Sequence, residues 1–153
     1  MIITATEQLA YRPMAEEDLD LVANLETTLH ACPWSRGNFA DAITAGYSCW
    51  VCRLDGSTVG YAVMMLVVDE CHLLNISVRR DRHRRGFGRQ FLRYLHGVGK
   101  GAGAASMFLE VRPSNTAARA LYDTDGFLPV GVRRGYYPGP NGREDALLMK
   151  RDL

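Results

Sequence analysis

The sequence predicts an α/β domain of the α+β kind, a mixed central sheet of about seven strands with about four helices on its faces. Three observations carry this. Three β-rich runs, 47–54, 59–68 and 71–78, follow one another with only tight turns between them, the pattern of antiparallel hairpins. After them strands and helices alternate, which brings helices onto the sheet faces and parallel pairing into the sheet. The 153 residues, 47% hydrophobic and 23% charged, fit a single domain, 1–153, able to bury its own core. That balance excludes a disordered or collagen-like chain.

Each element has a local reason. Residues 9–13 read as a short strand. The segment 14–18 opens a helix with acids in its first turn; Leu19, Val22, Leu25 and Leu29 form its apolar stripe, and Pro33 stops it. Ser35 caps a second helix, with Phe39 and Ile43 facing in and Gly46 ending it. Asp55-Gly56 turns the first hairpin and Asp69-Glu70 the second. An arginine-rich segment leads to a helix from about Gly86, with Phe87, Phe91, Leu92 and Leu95 on its inner side. Gly97, Gly99, Gly101 and Gly103 weaken its end by roughly 1 kcal/mol for each interior glycine, so the pattern does not place its last residue. A short buried strand at 107–111 follows. Pro113-Ser114-Asn115 is a turn and cap for a helix at 116–125, ended by Gly126. The last strands are 127–132 and 146–150, joined by a loop that carries Tyr136-Tyr137-Pro138.

Composition narrows the function classes. The longest apolar run, 61–68, is too short to span a bilayer, and no basic stretch leads an apolar one at the start, so the cytoplasm is the expected compartment and no membrane partner is expected. Of the four cysteines, Cys49 and Cys52 form a CxxC inside a β-rich run, where i and i+3 point to opposite faces; with no second pair beside it, a buried reduced role is expected. His30, His72 and His96 lack metal-ligand spacing and read as packing or surface residues, and no metal is expected. Charge is uneven although the net is +1. Residues 1–70 hold ten acids against three arginines, net −7, and residues 71–153 are net +8. Seven of the eighteen cations lie between Arg79 and Arg93, opposed only by Asp81, which points to an anionic ligand in the second half.

The most informative stretch runs from Asn75-Ile76-Ser77-Val78 to Arg84-Arg85-Gly86-Phe87-Gly88-Arg89: strand, basic loop, two glycines, helix. A helix N-terminus offers unpaired N–H groups and the positive end of the dipole, and glycines let the backbone come close, so together they form a phosphate cradle. A solvated basic face and a nucleic-acid contact are the alternatives; no aromatic interleaving supports the second, and no direct nucleic-acid partner is expected. Gly97-Val98-Gly99-Lys100-Gly101-Ala102 matches GxGxxG/A only as a string, since it follows a helix rather than a strand.

His83-Arg84-Arg85-Gly86-Phe87-Gly88 resembles the acyl-CoA pyrophosphate loop of the GNAT acetyltransferases, Gln/Arg-x-x-Gly-x-Gly/Ala, with His83 departing at the first position. From about residue 10 to 152 the chain resembles, more narrowly, the RimI-like ribosomal-protein alanine N-acetyltransferases. The resemblance rests on His30-Ala31-Cys32-Pro33-Trp34-Ser35, Leu109-Glu110-Val111-Arg112-Pro113-Ser114-Asn115, Ala120-Leu121-Tyr122, Gly126-Phe127, and the pair Tyr136-Tyr137-Pro138 and Gly142-Arg143-Glu144-Asp145-Ala146. It implies a GNAT fold and transfer of acetyl from acetyl-CoA to a protein N-terminal α-amine, the N-terminal alanine of a small-subunit ribosomal protein. Glu110 is then the general base and Tyr122 the proton donor. Ile76, Ser77 and Val78 meet the cofactor arm, Arg84, Arg85, Gly86, Phe87, Gly88 and Arg89 hold the pyrophosphate, and Asn115 touches the arm. Trp34, Tyr136 and Tyr137 face the peptide. The arginines of 79–82 are read as solvated or as meeting a further phosphate. The residues alone leave Glu110 equally readable as a strand carboxylate paired with an arginine, and Tyr122 as a core aromatic. With no cysteine in the matched catalytic motifs to form an acyl-enzyme, attack is direct, and the chain is expected to act as a monomer. The rivals are a GNAT enzyme for a lysine or small-molecule amine, and a non-enzymatic module binding CoA or nucleic acid.

Overall fold

The computed structural model describes residues 9–153. Seven strands form one sheet among the described residues: β1 (Ala10–Pro13), β2 (Ser48–Leu54), β3 (Ser57–Val67), β4 (Glu70–Val78), β5 (Ser106–Val111), β6 (Leu128–Gly139) and β7 (Gly142–Asp152), in the spatial order β1-β2-β3-β4-β5-β7-β6. Only β4 and β5 pair in parallel. The helices are α1 (Leu19–Leu29), α2 (Arg36–Thr44), α3 (Phe87–Gly101) and α4 (Thr116–Thr124). None is long and apolar enough to cross a membrane.

The apolar run of β3 is continuous because both its faces are covered. Ala62 and Met64 join one core with Phe87, Phe91, Leu92 and Leu95 of α3 and Tyr122 of α4. Tyr61 and Val63 join a second core with Leu19 and Val22 of α1 and Phe39 of α2. Cys52 lies in the first core and Cys49 in the second, so the CxxC is split by the sheet as strand alternation requires. Asp55 and Gly56 both take positive φ, 51° and 81°, which matches the right-handed twist of the hairpin they close.

Several boundaries differ from the sequence reading. The acids at 16–18 form a single 3-10 turn, because Asp18 turns back to pair with Arg12 at 2.7 Å and to accept the Ala15 N–H at 2.8 Å. The helix α1 stops at His30, which is extended, three residues before Pro33. The glycines of α3 do not end it early. Helix α3 runs to Gly101, and Gly99 lets it lie close to β4 and the C-terminus, where a Cβ would meet Leu153 at 3.2 Å and the Cys71 sulfur at 3.4 Å. The segment 136–138, expected as loop, belongs to β6, which pairs with β7 up to Gly139↔Gly142. The Gly-Arg-Glu-Asp stretch holds that hairpin arm: Asp145 accepts the Gly135 N–H at 2.8 Å, Arg143 donates to the Tyr136 carbonyl at 3.1 Å, and Glu144 accepts both the N–H and the hydroxyl of Ser114 at 2.9 Å.

The feature that makes the site is a split in the sheet. Strands β4 and β5 pair only from Glu70↔Ser106 to Leu73↔Leu109. A bulge opposite Val63 and Met64 then bends β4, which continues to Val78 without β5 beside it.

Candidate active site

Three cavities join along this split. An outer one of about 480 Å³ is lined by Ile76, Ser77 and Val78, by Arg82, Arg84 and Gly86–Gly88, and by Tyr122 of α4. A central one of about 270 Å³ shares His30, Ile76, Asn115 and Tyr122 with it and adds Glu110. A third, of about 240 Å³, shares Glu110, Trp34 and Tyr137 with the central one and ends at Tyr136, Phe108 and Leu148. The result is one trench from the basic loop to the β6–β7 hairpin.

At its outer end the backbone is preset. Gly86 sits at φ 77° immediately before α3, and Arg84 is also left-handed, at 64°. The first helical hydrogen bond comes from Gln90 to the Gly86 carbonyl, so the N–H groups of Phe87, Gly88 and Arg89 have no partner in the helix, and no acid stands in the first turn. Arg82 and Arg84 line the cavity, and the Arg82 Nε is buried without a hydrogen bond. An unpaired buried guanidinium N–H beside an open helix end fits a diphosphate. Arg85 and Arg89 are not in the lining; the Arg89 side chain donates to the Thr124 hydroxyl at 2.6 Å, while its backbone N–H belongs to the open first turn. Of the arginines of 79–82, Arg80 is exposed, as expected, and donates to the Thr28 carbonyl at the end of α1 at 2.8 Å, while Arg79 pairs at the surface with Asp81.

Backbone direction along β4 follows from its bonds. The Arg79 N–H bonds Val59 of β3 at 2.7 Å, and alternation then turns Ser77 toward β3, and Ile76 and Val78 toward the split. His83 Nε2 lies 2.6 Å from the Val78 carbonyl, which therefore accepts from it and is already used. Ser77 meets the outer cavity only by its side chain, whose oxygen donates to Asn75 Oδ1 at 2.8 Å. Asn115 caps α4 by accepting the Ala118 N–H at 3.2 Å, and so holds its place at the junction of the outer and central cavities.

Glu110 projects from β5 where the central and third cavities meet, and Arg133 of β6 ion-pairs with it at 3.1 Å. Tyr122 is 8% exposed, stacks edge-on against Phe127, and opens to both the outer and central cavities; burial pushes its phenol up to about 12. Tyr137 is also pushed up to about 12, first by burial and then by the charge of Glu110, and Arg112 lies 4.3 Å from its ring centroid. The site thus holds, in order, an anion cradle, a phenol, a carboxylate and an aromatic wall.

The chain matches the model of the acetyltransferase (GNAT) family over residues 15–127. It is a member of the GNAT family. It is 40% identical over 132 residues to the ribosomal protein bS18-alanine N-acetyltransferase of Escherichia coli K12, an alignment covering 86% of this chain and 89% of that one. Against the corresponding Salmonella typhimurium protein the identity is 38%, with 89% and 92% covered. The crystal structure of the Escherichia coli ribosomal-protein-S18-alanine N-acetyltransferase superposes with a TM-score of 0.89 at 36% identity, covering 95% of this chain and 94% of that one. Ard1 from Thermoplasma volcanium, at 22% identity and a TM-score of 0.86, shares the fold. The GNAT fold expected from the sequence is the one observed, and its family uses acetyl-CoA as acetyl donor.

This GNAT protein also carries a buried network that sequence reasoning missed. Glu26 of α1 is 1% exposed. Its Oε1 accepts from the Tyr61 hydroxyl at 2.7 Å and from Asn75 Nδ2 at 3.1 Å, and its Oε2 accepts the Trp34 N–H at 2.9 Å. His30, one helical turn on, places Nε2 3.4 Å from Glu26 and 2.8 Å from the Ser77 hydroxyl. A signal was present: 19, 22 and 26 share one helix face, so Glu26 falls on the stripe that holds Leu19 and Val22, and His30 follows it at i+4.

The two glycines of the loop are expected to separate. Nothing lies within 4 Å of a Cβ at Gly86, but its φ is left-handed, so Gly86→Ala costs about 1–2 kcal/mol of stability as well as acetyl-CoA affinity. A Cβ at Gly88 meets only Leu121, at an ordinary 3.5 Å, so Gly88→Ala keeps its melting temperature and loses affinity only because ligand must approach that backbone. Calorimetric titration with thermal melts checks both, and unchanged affinity in Gly88→Ala would remove that position from the cradle.

Proposed function

We propose that this protein transfers acetyl from acetyl-CoA to a protein N-terminal α-amine, the N-terminal alanine of a small-subunit ribosomal protein, as a single domain working as a monomer in the cytoplasm. The observation that carries the reading is the 40% identity, over 86% of the chain, to a protein named for that reaction. The trench supports it. Acetyl-CoA supplies an acetyl group activated as a thioester. The N–H groups of the first turn of α3, with Arg82 and Arg84, hold its diphosphate, and the backbone of Ile76 and the N–H of Val78 lie along its extended arm. One such N–H stands ready to polarise the thioester carbonyl. Glu110 takes a proton from the incoming ammonium, which at a pKa near 8 is readily lost, whereas a lysine at about 10.4 asks more of the base. Tyr122, kept protonated by its burial, offers its hydrogen to the departing sulfur. Trp34, Tyr136 and Tyr137 wall the acceptor side.

The test is kcat/KM for peptides beginning Ala-Arg, Ala-Glu and Trp-Arg at low and high salt. The net −7 of residues 1–70 favours a cationic segment, chiefly through its rate of arrival, so Ala-Arg is expected to lead Ala-Glu by a margin that shrinks with salt. The initial Trp is expected to cost more than the charge change, since the acceptor-side cavity is only about 240 Å³. Preference for a lysine ε-amine on an N-terminally blocked peptide would overturn the acceptor assignment.

A further inference from the structure

The proton balance of this reaction leaves one group unassigned. An ammonium acceptor gives up two protons. Glu110 takes the first, and frees the lone pair. When the C–N bond forms, the nitrogen carries the second. The C–S bond then breaks, its electron pair leaves with sulfur, and sulfur takes the hydrogen of Tyr122. That leaves a phenolate in a site whose burial holds its phenol at about 12, and a proton still on nitrogen. A group lining the same cavity must carry the proton from one to the other.

The network around Glu26 prepares such a group. A carboxylate only accepts, so Asn75 must turn its Nδ2 toward Glu26 and its Oδ1 away. The Oδ1 then takes the single hydrogen of the Ser77 hydroxyl, at 2.8 Å. Ser77, its hydrogen spent, can only accept from His30 Nε2, at 2.8 Å. The neutral imidazole is thereby held with its hydrogen on Nε2 and its lone pair on Nδ1, which makes no hydrogen bond among the described residues. The ring lines both the outer and the central cavity, as Tyr122 does. Among the described residues no arginine or lysine pairs with Glu26; the one nitrogen able to bring it a positive charge within 4 Å is His30 Nε2, at 3.4 Å. A buried carboxylate behind an imidazole fixes its tautomer and stabilises the imidazolium once formed.

We infer that His30 is a further acid–base residue of this site, oriented by Glu26, Asn75 and Ser77. Its Nδ1 takes the second proton from the acceptor nitrogen and returns it to the Tyr122 oxygen after sulfur has been protonated. The cycle then closes with amide and free thiol as products and one proton released through Glu110. This rests on the amine-acetylation reading above.

Two measurements on the full chain test it. In protein labelled with ¹⁵N-histidine, long-range ¹H–¹⁵N correlation, assigned by the signals lost in His30→Gln, is expected to show the Nε2–H form of the neutral ring; the Nδ1–H form would overturn the inference without reference to any activity. The second is turnover. His30→Gln, which keeps an N–H donor for Ser77, is expected to lower kcat about 10²-fold or more with little change in KM for acetyl-CoA, and added imidazole should partly restore His30→Gly. Wild-type kcat in His30→Gln, or a loss that imidazole does not relieve, would overturn the inference. The acceptor is whichever of the Ala-Arg peptide, the blocked lysine peptide or a small amine the wild type acetylates fastest. A choice other than the Ala-Arg peptide defeats the acceptor reading, while the His30 comparison proceeds on the amine chosen.

Discussion

Glu110→Gln is expected to lower kcat about 10²-fold or more while acetyl-CoA affinity stays at the wild-type level. The two effects separate because of where the side chain stands. Glu110 lines the central and third cavities and is absent from the outer one that holds the phosphate cradle. Glutamine keeps the shape and can still face Arg133 at the position the carboxylate holds, 3.1 Å from its Nε, but it cannot take a proton. Tyr122→Phe should also lower kcat, since it removes only the hydroxyl and leaves the ring packed on Phe127. Steady-state kinetics with a parallel acetyl-CoA titration checks both. Wild-type turnover in the two variants across pH 6–9 would return Glu110 to a strand carboxylate paired with an arginine, and Tyr122 to a core aromatic.

The largest effect on stability is expected at Glu26. Leucine suits its apolar surroundings beside Val22 and Leu19, and by hydrophobicity alone Glu26→Leu should be harmless. It is instead expected to cost about 1–3 kcal/mol for the buried Tyr61 hydroxyl that loses its acceptor, with a smaller addition from the Asn75 amide and the Trp34 N–H, which are only partly buried. That is a large share of the roughly 5–15 kcal/mol of a typical domain. Urea denaturation measures it, and adding Tyr61→Phe to Glu26→Leu should recover part of the loss by removing one stranded donor. A Glu26→Leu protein as stable as wild type would show that the network contributes nothing net.

What the sequence made legible follows from how local each cause is. Strands β2, β3 and β4 could be read because their turns and apolar runs are consecutive, and the opposite faces of Cys49 and Cys52 follow from the pleat alone. The start of α3 was legible because Gly86 and Gly88 mark it. The arm 136–139 was not, since Tyr-Tyr-Pro-Gly carries no apolar–polar alternation in the sequence and its Pro-Gly reads as a turn, although the folded arm alternates between exposed Tyr136 and Pro138 and half-buried Tyr137 and Gly139; long-range bonds from Arg143 and Asp145 hold it as a strand. The side-chain directions of Arg82 and Arg89 were equally hidden, because Thr124, thirty-five residues away, decides where Arg89 goes. His30 is a surface residue as expected, but its contacts with Ser77 and Glu26 were hidden, because Ser77 lies forty-seven residues away on another element and only the fold brings it there.

The split between β4 and β5 gives one strand two kinds of amide. Along the last residues of β4, alternate N–H groups point to β3 and are locked in its ladder, while those of Ile76 and Val78 point into the opening. In deuterated water the first set should exchange only when the domain opens, and the second far sooner. Filling the trench slows the second set and leaves the first untouched. Neighbouring residues of one strand, a single peptide-bond apart, therefore serve as a built-in pair of clocks, one timing the opening of the domain and the other the residence of whatever lies along the strand.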